Sequence, residues 1–387
     1  MSGRSYDLGP TTYYRPQGVS RRSRLLVVVI GGALTGVIAF TIWSLSTDAA
    51  TTPSTVAAVV DTTITTRPSV TTIASTTTLP PATMITPTTA TTAPEKGYLV
   101  IQGTGDVATD PEYIPALAAE GWDHAWSGLN GLFLEDDLTV INLECAPSAL
   151  GSPLDKAFVF RCPTESLPSI KANGIDVGNL GNNHSGDFGK EALVDGRDQL
   201  LAAGIQPVGA GRSDAEAGEP ALFEINGWTV AVVGFGGVAP DDGWYATVDT
   251  PGMRNGDDTP TMVEAVSAAE EVADLVVVTI HWGMELDTTP RQDDIDRAHA
   301  MVEAGADIIF GHHSHRMQPL ETVGDAAVFW SLGNFVWPHN SVASATTAVA
   351  RAVVAPGGTI DSCLIPAYIE THGHPVLTGE AECAAPA

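Results

Sequence analysis

The segment "GADIIFGHHSH", residues 305–315, sets His312, His313 and His315 directly after a short apolar run. Imidazole at that density has little use in packing and suits a transition-metal ion. Four other places repeat the pattern of an apolar run followed by ligand-type side chains. "IQGTGDV" carries Asp106, and "VINLE" ends at Glu144. "VGNLGNNHSGD" carries Asn182, Asn183, His184 and Asp187, and "VVVTIHWGME" ends with His281 and Glu285. Carboxylate, amide and imidazole together suit Mn²⁺, Zn²⁺ or Fe rather than Ca²⁺ or a thiolate site. Each fragment alone is ordinary: a strand-end Asp is usually a turn residue, and a single His is usually a hydrogen-bonded core residue. The ordered series is what points to a site. In an extended chain residues i and i+2 share a face, so His313 and His315 are expected to point together and His312 elsewhere.

The elements that must position these residues are legible in the same runs. "YLVIQG", "LTVINLE", "WTVAVVGF", "ADLVVVTIHWG", "ADIIFGHH" and "AVFWSLGNF" have strand length. Several are dominated by Val and Ile, as strands covered on both faces are. Helical stretches lie between them. In "TPRQDDIDRAHAMVEAG", Thr289 is expected as N-cap, with Pro290 at the first helical position and Gln292 completing a capping box. Ile295, Ala298 and Val302 fall on one face, and Gly305 ends the helix. A helix–Gly–strand junction recurs in "KANGIDVGNL" and "LAAGIQPVGA". Alternating strands and helices predict an α/β layered domain, in which ligands bind beyond the carboxyl ends of the strands.

The flanks differ in texture. Residues 25–46 carry no charge and have the length of a membrane-spanning helix, with Arg21, Arg22 and Arg24 just before them. This predicts a cytoplasmic N-terminus at 1–24, one transmembrane helix at 25–46, and an extracytoplasmic main domain of a single-pass membrane protein; the rival reading is a cleaved signal peptide, for which the run is long and "STDAA" a weak cleavage site. Residues 47–95 are rich in Thr, Pro and Ala, too poor in large apolar side chains to fold, and read as a disordered linker or stalk. The main domain is assigned to 96–354 and a C-terminal extension to 355–387. Cys145, Cys162, Cys363 and Cys383 allow three pairings; the sequence-local one closes two short loops, in a compartment that permits disulfides. The chain holds 46 acidic and 18 basic residues, a formal charge of −28, with five arginines in its first 24 residues. The remainder is strongly acidic, which argues against nucleic acid as a partner.

Taken in order, "GD", "NLE", "NNHSGDFG", "HWGME", "GADIIFGHHSHRMQP" and "SLGNF" resemble the successive motifs of the CapA family of capsule or poly-γ-glutamate biosynthesis proteins, over about Gly97 to Pro338. That domain resembles calcineurin-like metallophosphoesterases. The resemblance implies a β-sandwich flanked by helices, with one or two divalent ions at the strand ends. It implies Asp106, Glu144, Asn183, His281, His313 and His315 as metal ligands, with Glu144 bridging, and His184 as the catalytic histidine. One ion would take Glu144, Asn183, His281 and His313; the other would have Asp106, Glu144 and His315. The wider family places a further histidine ligand two positions after the first aspartate, where this chain has Ala108. Asp187 either orients His184 or caps the helix starting near Lys190. Glu285 and Arg316 are candidates for substrate or outer-shell contacts, and Asn334 for the site or for a turn. The implied activity is metal-dependent hydrolysis of a phosphoester in polymer biosynthesis or export. The alternatives are a non-catalytic scaffold among polymer synthesis and export proteins, and a γ-glutamyl amide hydrolase or transferase acting on an anionic polymer.

Overall fold

The computed structural model describes residues 94–383. The run at 25–46 and nearly all of the 47–95 segment lie outside the described residues, as do the calls made on them. Among the described residues no helix is long and apolar enough to cross a membrane.

Among the described residues sixteen strands appear in chain order. They are β1 (Leu99–Val107), β2 (Leu138–Leu143), β3 (Val177–Asn179), β4 (Gln206–Val208), β5 (Ala210–Gly211), β6 (Ala221–Ile225), β7 (Trp228–Gly236) and β8 (Gly252–Met253). They continue with β9 (Leu275–His281), β10 (Ile308–His312), β11 (Leu320–Val323), β12 (Ala326–Phe329), β13 (Asn334–Val336), β14 (Thr346–Val354), β15 (Ile360–Thr371) and β16 (His374–Leu377). An eight-stranded sheet runs β16-β15-β14-β1-β2-β3-β4, with β13 joining β1 beside β14. A six-stranded sheet runs β11-β12-β10-β9-β7-β6, and β5 pairs with β8 alone. The domain is thus a mixed α/β fold.

Alternation along the strands builds the layers. Val230 and Val232 of β7 face a core shared with Ile101, Val140, Val177, Val277, Phe310 and Ala352, which belong to both sheets. Ala231, Val233 and Phe235 face the other way, onto Met262 and Val266 of the helix Thr259–Glu270 and Ala298 and Met301 of the helix Gln292–Glu303. The outer face of the larger sheet is buried with Trp126, Phe133, Leu167, Ile170, Leu193 and Leu200, contributed by helices and their flanks. The sheets approach closely at Gly103, where a Cβ would stand 2.8 Å from the Phe310 ring.

Three expectations are corrected. The helix near Thr289 begins at Gln292 with Arg291 as N-cap, and no side-chain cap is made; Pro290 lies before the helix, while Gly305 beyond its end has φ 112. The run "AVFWSLGNF" is two strands in two sheets: β12 pairs with β10, and β13 pairs with β1. Residues 355–387, set apart in the sequence as an extension, contain β15 and β16. β15 pairs with β14 from Ile360 to Tyr368, so the larger sheet continues through them. The cysteines form the local pairs, Cys145–Cys162 and Cys363–Cys383.

Candidate metal centre

Asp106 reaches the site through an irregularity in β1. Gly103 pairs with Val140, but Asp106 pairs with Asn142, so β1 carries one extra residue. Such bulges re-aim side chains. Gly105 permits it, because a Cβ there would sit 2.2 Å from Gly333 O. Glu144 follows β2 directly, His281 ends β9 and His312 ends β10; Asn183 and His184 lie in the loop after β3. All are carboxyl ends of strands. Asn334, Asp106, Asn142 and Asn179 occupy paired positions on β13, β1, β2 and β3 and form one polar row.

His313 and His315 converge by a different route from the one expected. The strand stops at His312, and both later histidines have positive φ, 90 and 53. Their rings are brought near the site by a left-handed turn, not by strand alternation. Non-glycine residues in that region carry a cost of about 1 kcal/mol or more each, and such costs cluster at functional sites.

The six side chains implied as ligands lie together. His281 Nε2 is 2.7 Å from Asn183 Oδ1 and 3.5 Å from Glu144 Oε1. His315 Nδ1 is 2.9 Å from Asp106 Oδ2, and His315 Nε2 is 3.9 Å from Glu144 Oε1. The His281 and His313 rings are 4.6 Å apart. Two groups offer ligand atoms all within 4.8 Å of one another: Asp106, Glu144 and His281, and Glu144, His313 and His315. Glu144 is common to both, as a bridging ligand must be. The division differs from the one the resemblance implied, since His281 falls with Asp106 and His313 with His315.

The residues fit a divalent cation. Asp106 Oδ2, Glu144 Oε1, His313 Nδ1 and His315 Nδ1 are buried without a hydrogen-bond partner. Although His315 Nδ1 and Asp106 Oδ2 are close, their alignment completes no hydrogen bond. Leaving so many buried polar atoms unmatched costs about 1–3 kcal/mol each, and a bound ion removes that cost. Burial pushes Glu144 well above the usual carboxylate range, reinforced by Asp106 and Glu285. Burial works against ionisation of Asp106 too, but contact with His315, and the charge of His315 and His312, hold it below its ordinary value. Burial lowers His281 well below its ordinary value, and His313 to about 3, each reinforced by neighbouring histidines. His312 falls to about 4 for the same first reason. Burial opposes the charge on His315, yet Asp106 raises it. Neutral imidazoles and ionised carboxylates are the ligand forms, so cation binding favours release of protons from these side chains.

His184 stands at the rim. Its Nδ1 donates to Asp187 Oδ2 at 2.7 Å, and its Nε2 is 4.0 Å from Glu144 Oε1. Burial lowers it to about 4 against the pull of Asp187. Asp187 therefore contacts His184, while the helix Lys190–Ala202 has Gly189 at its N-cap. Glu285 is half-buried and lies close enough to raise both Glu144 and His315. Arg316 Nη1 donates to His315 O at 2.7 Å and makes no ion pair among the described residues. Asn334 Nδ2 donates to Ser344 O at 2.8 Å from within a strand, not a turn.

Sequence reasoning missed several contributors. Lys156, inside the loop closed by Cys145–Cys162, donates to Asp187 Oδ1 at 2.6 Å and to Asn183 O at 2.9 Å. Phe160 donates its backbone N–H to Asp187 Oδ2 at 2.7 Å, and its ring packs 4.5 Å from that of His184. Trp337 stacks on His315 at 4.9 Å. Asn142, buried in an apolar strand, was the one with a readable signal: an amide there needs partners.

Residues 100–339 match the model of the family described as bacterial capsule synthesis protein PGA_cap. The chain belongs to that family. Among its relatives, the PGA biosynthesis protein CapA of Bacillus subtilis is 34% identical over 206 residues, covering 53% of this chain and 54% of that protein. The capsule biosynthesis protein CapA of Bacillus anthracis is 33% identical over 220 residues, covering 56% of this chain and 53% of that one. The chain thus spans about half the length of the curated PGA_cap relatives it matches. Among solved structures, the sulfate thiohydrolase SoxB of Thermus thermophilus aligns at a TM-score of 0.38 and 14% identity, over 66% of this chain and 45% of that one. That likeness is too loose to carry an argument.

Proposed function

We propose that this PGA_cap protein acts outside the cytoplasm, anchored by the 25–46 segment, in making or exporting an anionic polymer such as poly-γ-glutamate. In this reading its centre is a metal-dependent hydrolase of the calcineurin-like metallophosphoesterase type, acting on a phosphoester. The two disulfides suit an oxidising compartment. The names of the Bacillus relatives support the polymer role. The observation that carries the hydrolase reading is the shared Glu144, with unmatched buried atoms of Asp106, His313 and His315 around it.

A bound divalent ion supplies Lewis acidity toward a phosphoryl oxygen and a water acidic enough to attack near neutral pH. Asp106, Glu144 and His281 would hold one such ion, and Glu144, His313 and His315 a second, with Asn183 beside His281. His184 is neutral at pH 7 with its proton on Nδ1, shared with Asp187. Its Nε2 is then free to accept a proton during attack and return it to the leaving oxygen. Lys156 balances the Asp187 charge, its Nζ 2.6 Å from Asp187 Oδ1 and 3.3 Å from His184 Nδ1. Phe160 and Trp337 pack against His184 and His315 and limit water around them.

Ala108 favours a second reading. It is 1% exposed and offers no ligand where the wider superfamily has histidine; in this second reading one metal position is incomplete and the domain acts as a binding or scaffold subunit. The test is hydrolysis of an aryl phosphate by the full-length chain with Mn²⁺ or Zn²⁺, and cleavage of γ-glutamyl oligomers in parallel. Metal-dependent phosphate release that is lost in His313→Ala and Asn183→Ala supports the first reading. No turnover of either substrate with any metal removes it and leaves the scaffold.

A further inference from the structure

Asn142 sits beneath the centre, fully buried, and touches three of the residues around it. Its Nδ2 donates to Asp106 Oδ1 at 2.9 Å and to Glu144 Oε2 at 3.3 Å, and lies 3.1 Å from His281 Nδ1. The amide cannot turn over. Its Oδ1 accepts from Asn179 Nδ2 and from Asn182 Nδ2, each at 3.3 Å. Asn182 is itself fixed by the backbone: its Oδ1 accepts from His184 N and Ser185 N, and its Nδ2 donates to Leu143 O. Rotating Asn142 would set two NH₂ groups against it and an oxygen against two carboxylates.

The consequence is a sorting of oxygens. Each carboxylate has one oxygen held by Asn142. The other oxygen of each, Asp106 Oδ2 and Glu144 Oε1, is buried without a partner. Those two are the oxygens that approach the histidines, at 2.9 Å from His315 Nδ1 and 3.5 Å from His281 Nε2. We infer that Asn142 is a positioning residue that presents Asp106 Oδ2 and Glu144 Oε1 to a divalent cation by holding the other oxygen of each carboxylate. The inference rests on the metal-centre reading above. It does not need the His281 contact: a cation at Nε2 moves the ring proton to Nδ1 and gives that contact up, while the carboxylate contacts remain. Without the amide, Glu144 Oε2 loses its side-chain donor and Asp106 Oδ1 keeps the longer contact from His313 N at 3.5 Å, so more of the ordering falls to the cation.

The test is Mn²⁺ binding to the full-length chain by calorimetry, with the thermal midpoint of the metal-free protein measured alongside. Asn142→Ala is expected to weaken binding by about 10- to 100-fold, the scale on which groups behind metal ligands act. Asn142→Leu keeps much of the volume, cannot donate and adds no charge, and is expected to weaken binding on the same scale; it covers the case in which the alanine variant does not fold. An unchanged or tighter Kd in either folded variant overturns the inference, even if the thermal midpoint falls, because a purely structural asparagine would lower only the midpoint. Wild-type binding with unaltered variants leaves the metal centre standing and removes only the role of Asn142. A wild-type chain that takes up no Mn²⁺ sinks the centre and this inference together.

Discussion

Lys156→Met tests whether the loop 145–162 clamps the His184–Asp187 pair. Lys156 is 24% exposed at its side chain, and Asp187 is 0% exposed. Removing one partner of a buried ion pair costs about 3–5 kcal/mol, because the other charge stays behind. Here Asp187 keeps two donors, His184 Nδ1 and Phe160 N, and the lysine is partly in water. Both facts lower the expected loss to about 2 kcal/mol. For a domain of this size that is a fall in Tm of about 4–8 °C. The assay is a double-mutant cycle with Asp187→Asn, followed by urea unfolding of the four proteins. Coupling of about 1–2 kcal/mol between the two changes is expected, since each removes the other's partner. Additivity within about 0.5 kcal/mol would refute the clamp.

Three further outcomes follow from the packing. Asp136 is pushed up to about 8, first by burial and then by Asp176 and Asp137. Its folded value is raised, so its contribution is complete below about pH 4 and is lost as pH rises through about 8. Asp136→Asn should therefore gain stability over wild type on the order of 1–3 kcal/mol more at pH 9 than at pH 4, discounted for its partial exposure; equal differences in urea midpoint at the two pH values would contradict this. Phe310→Ala, which empties the contact with Gly103 and Phe329, should cost about 3–5 kcal/mol in chemical denaturation. Replacing Cys145 and Cys162 together by Ala opens a loop with a sequence separation of 17. It should cost about 3 kcal/mol, measurable as a lowered Tm.

Much of the layering was legible because burial alternates on strands such as Trp228–Gly236, and glycine marks helix ends as at Gly305. The ligand types were legible for the same reason: Glu144 and His281 interrupt or end apolar runs where nothing else would place a charge. What remained hidden depends on long-range geometry. Ser331–Gly333 carries the chain from one sheet to the other, and its composition looks like continuing strand. The strand Ile360–Thr371 has exposed positions including Pro366 and follows Gly357 and Gly358, so it reads as an appendage. The left-handed turn at His313 and His315 has no glycine to announce it. Lys156 meets Asp187 across 31 positions of chain, through a loop with no local period.

The most direct measurement is anomalous scattering from crystals of the protein grown or soaked with Mn²⁺. The account predicts a peak about 2.0–2.2 Å from Glu144 Oε1, flanked by Asp106, Asn183 and the His281, His313 and His315 rings. A map with no peak there at saturating Mn²⁺, or with the ion bound elsewhere, would contradict it.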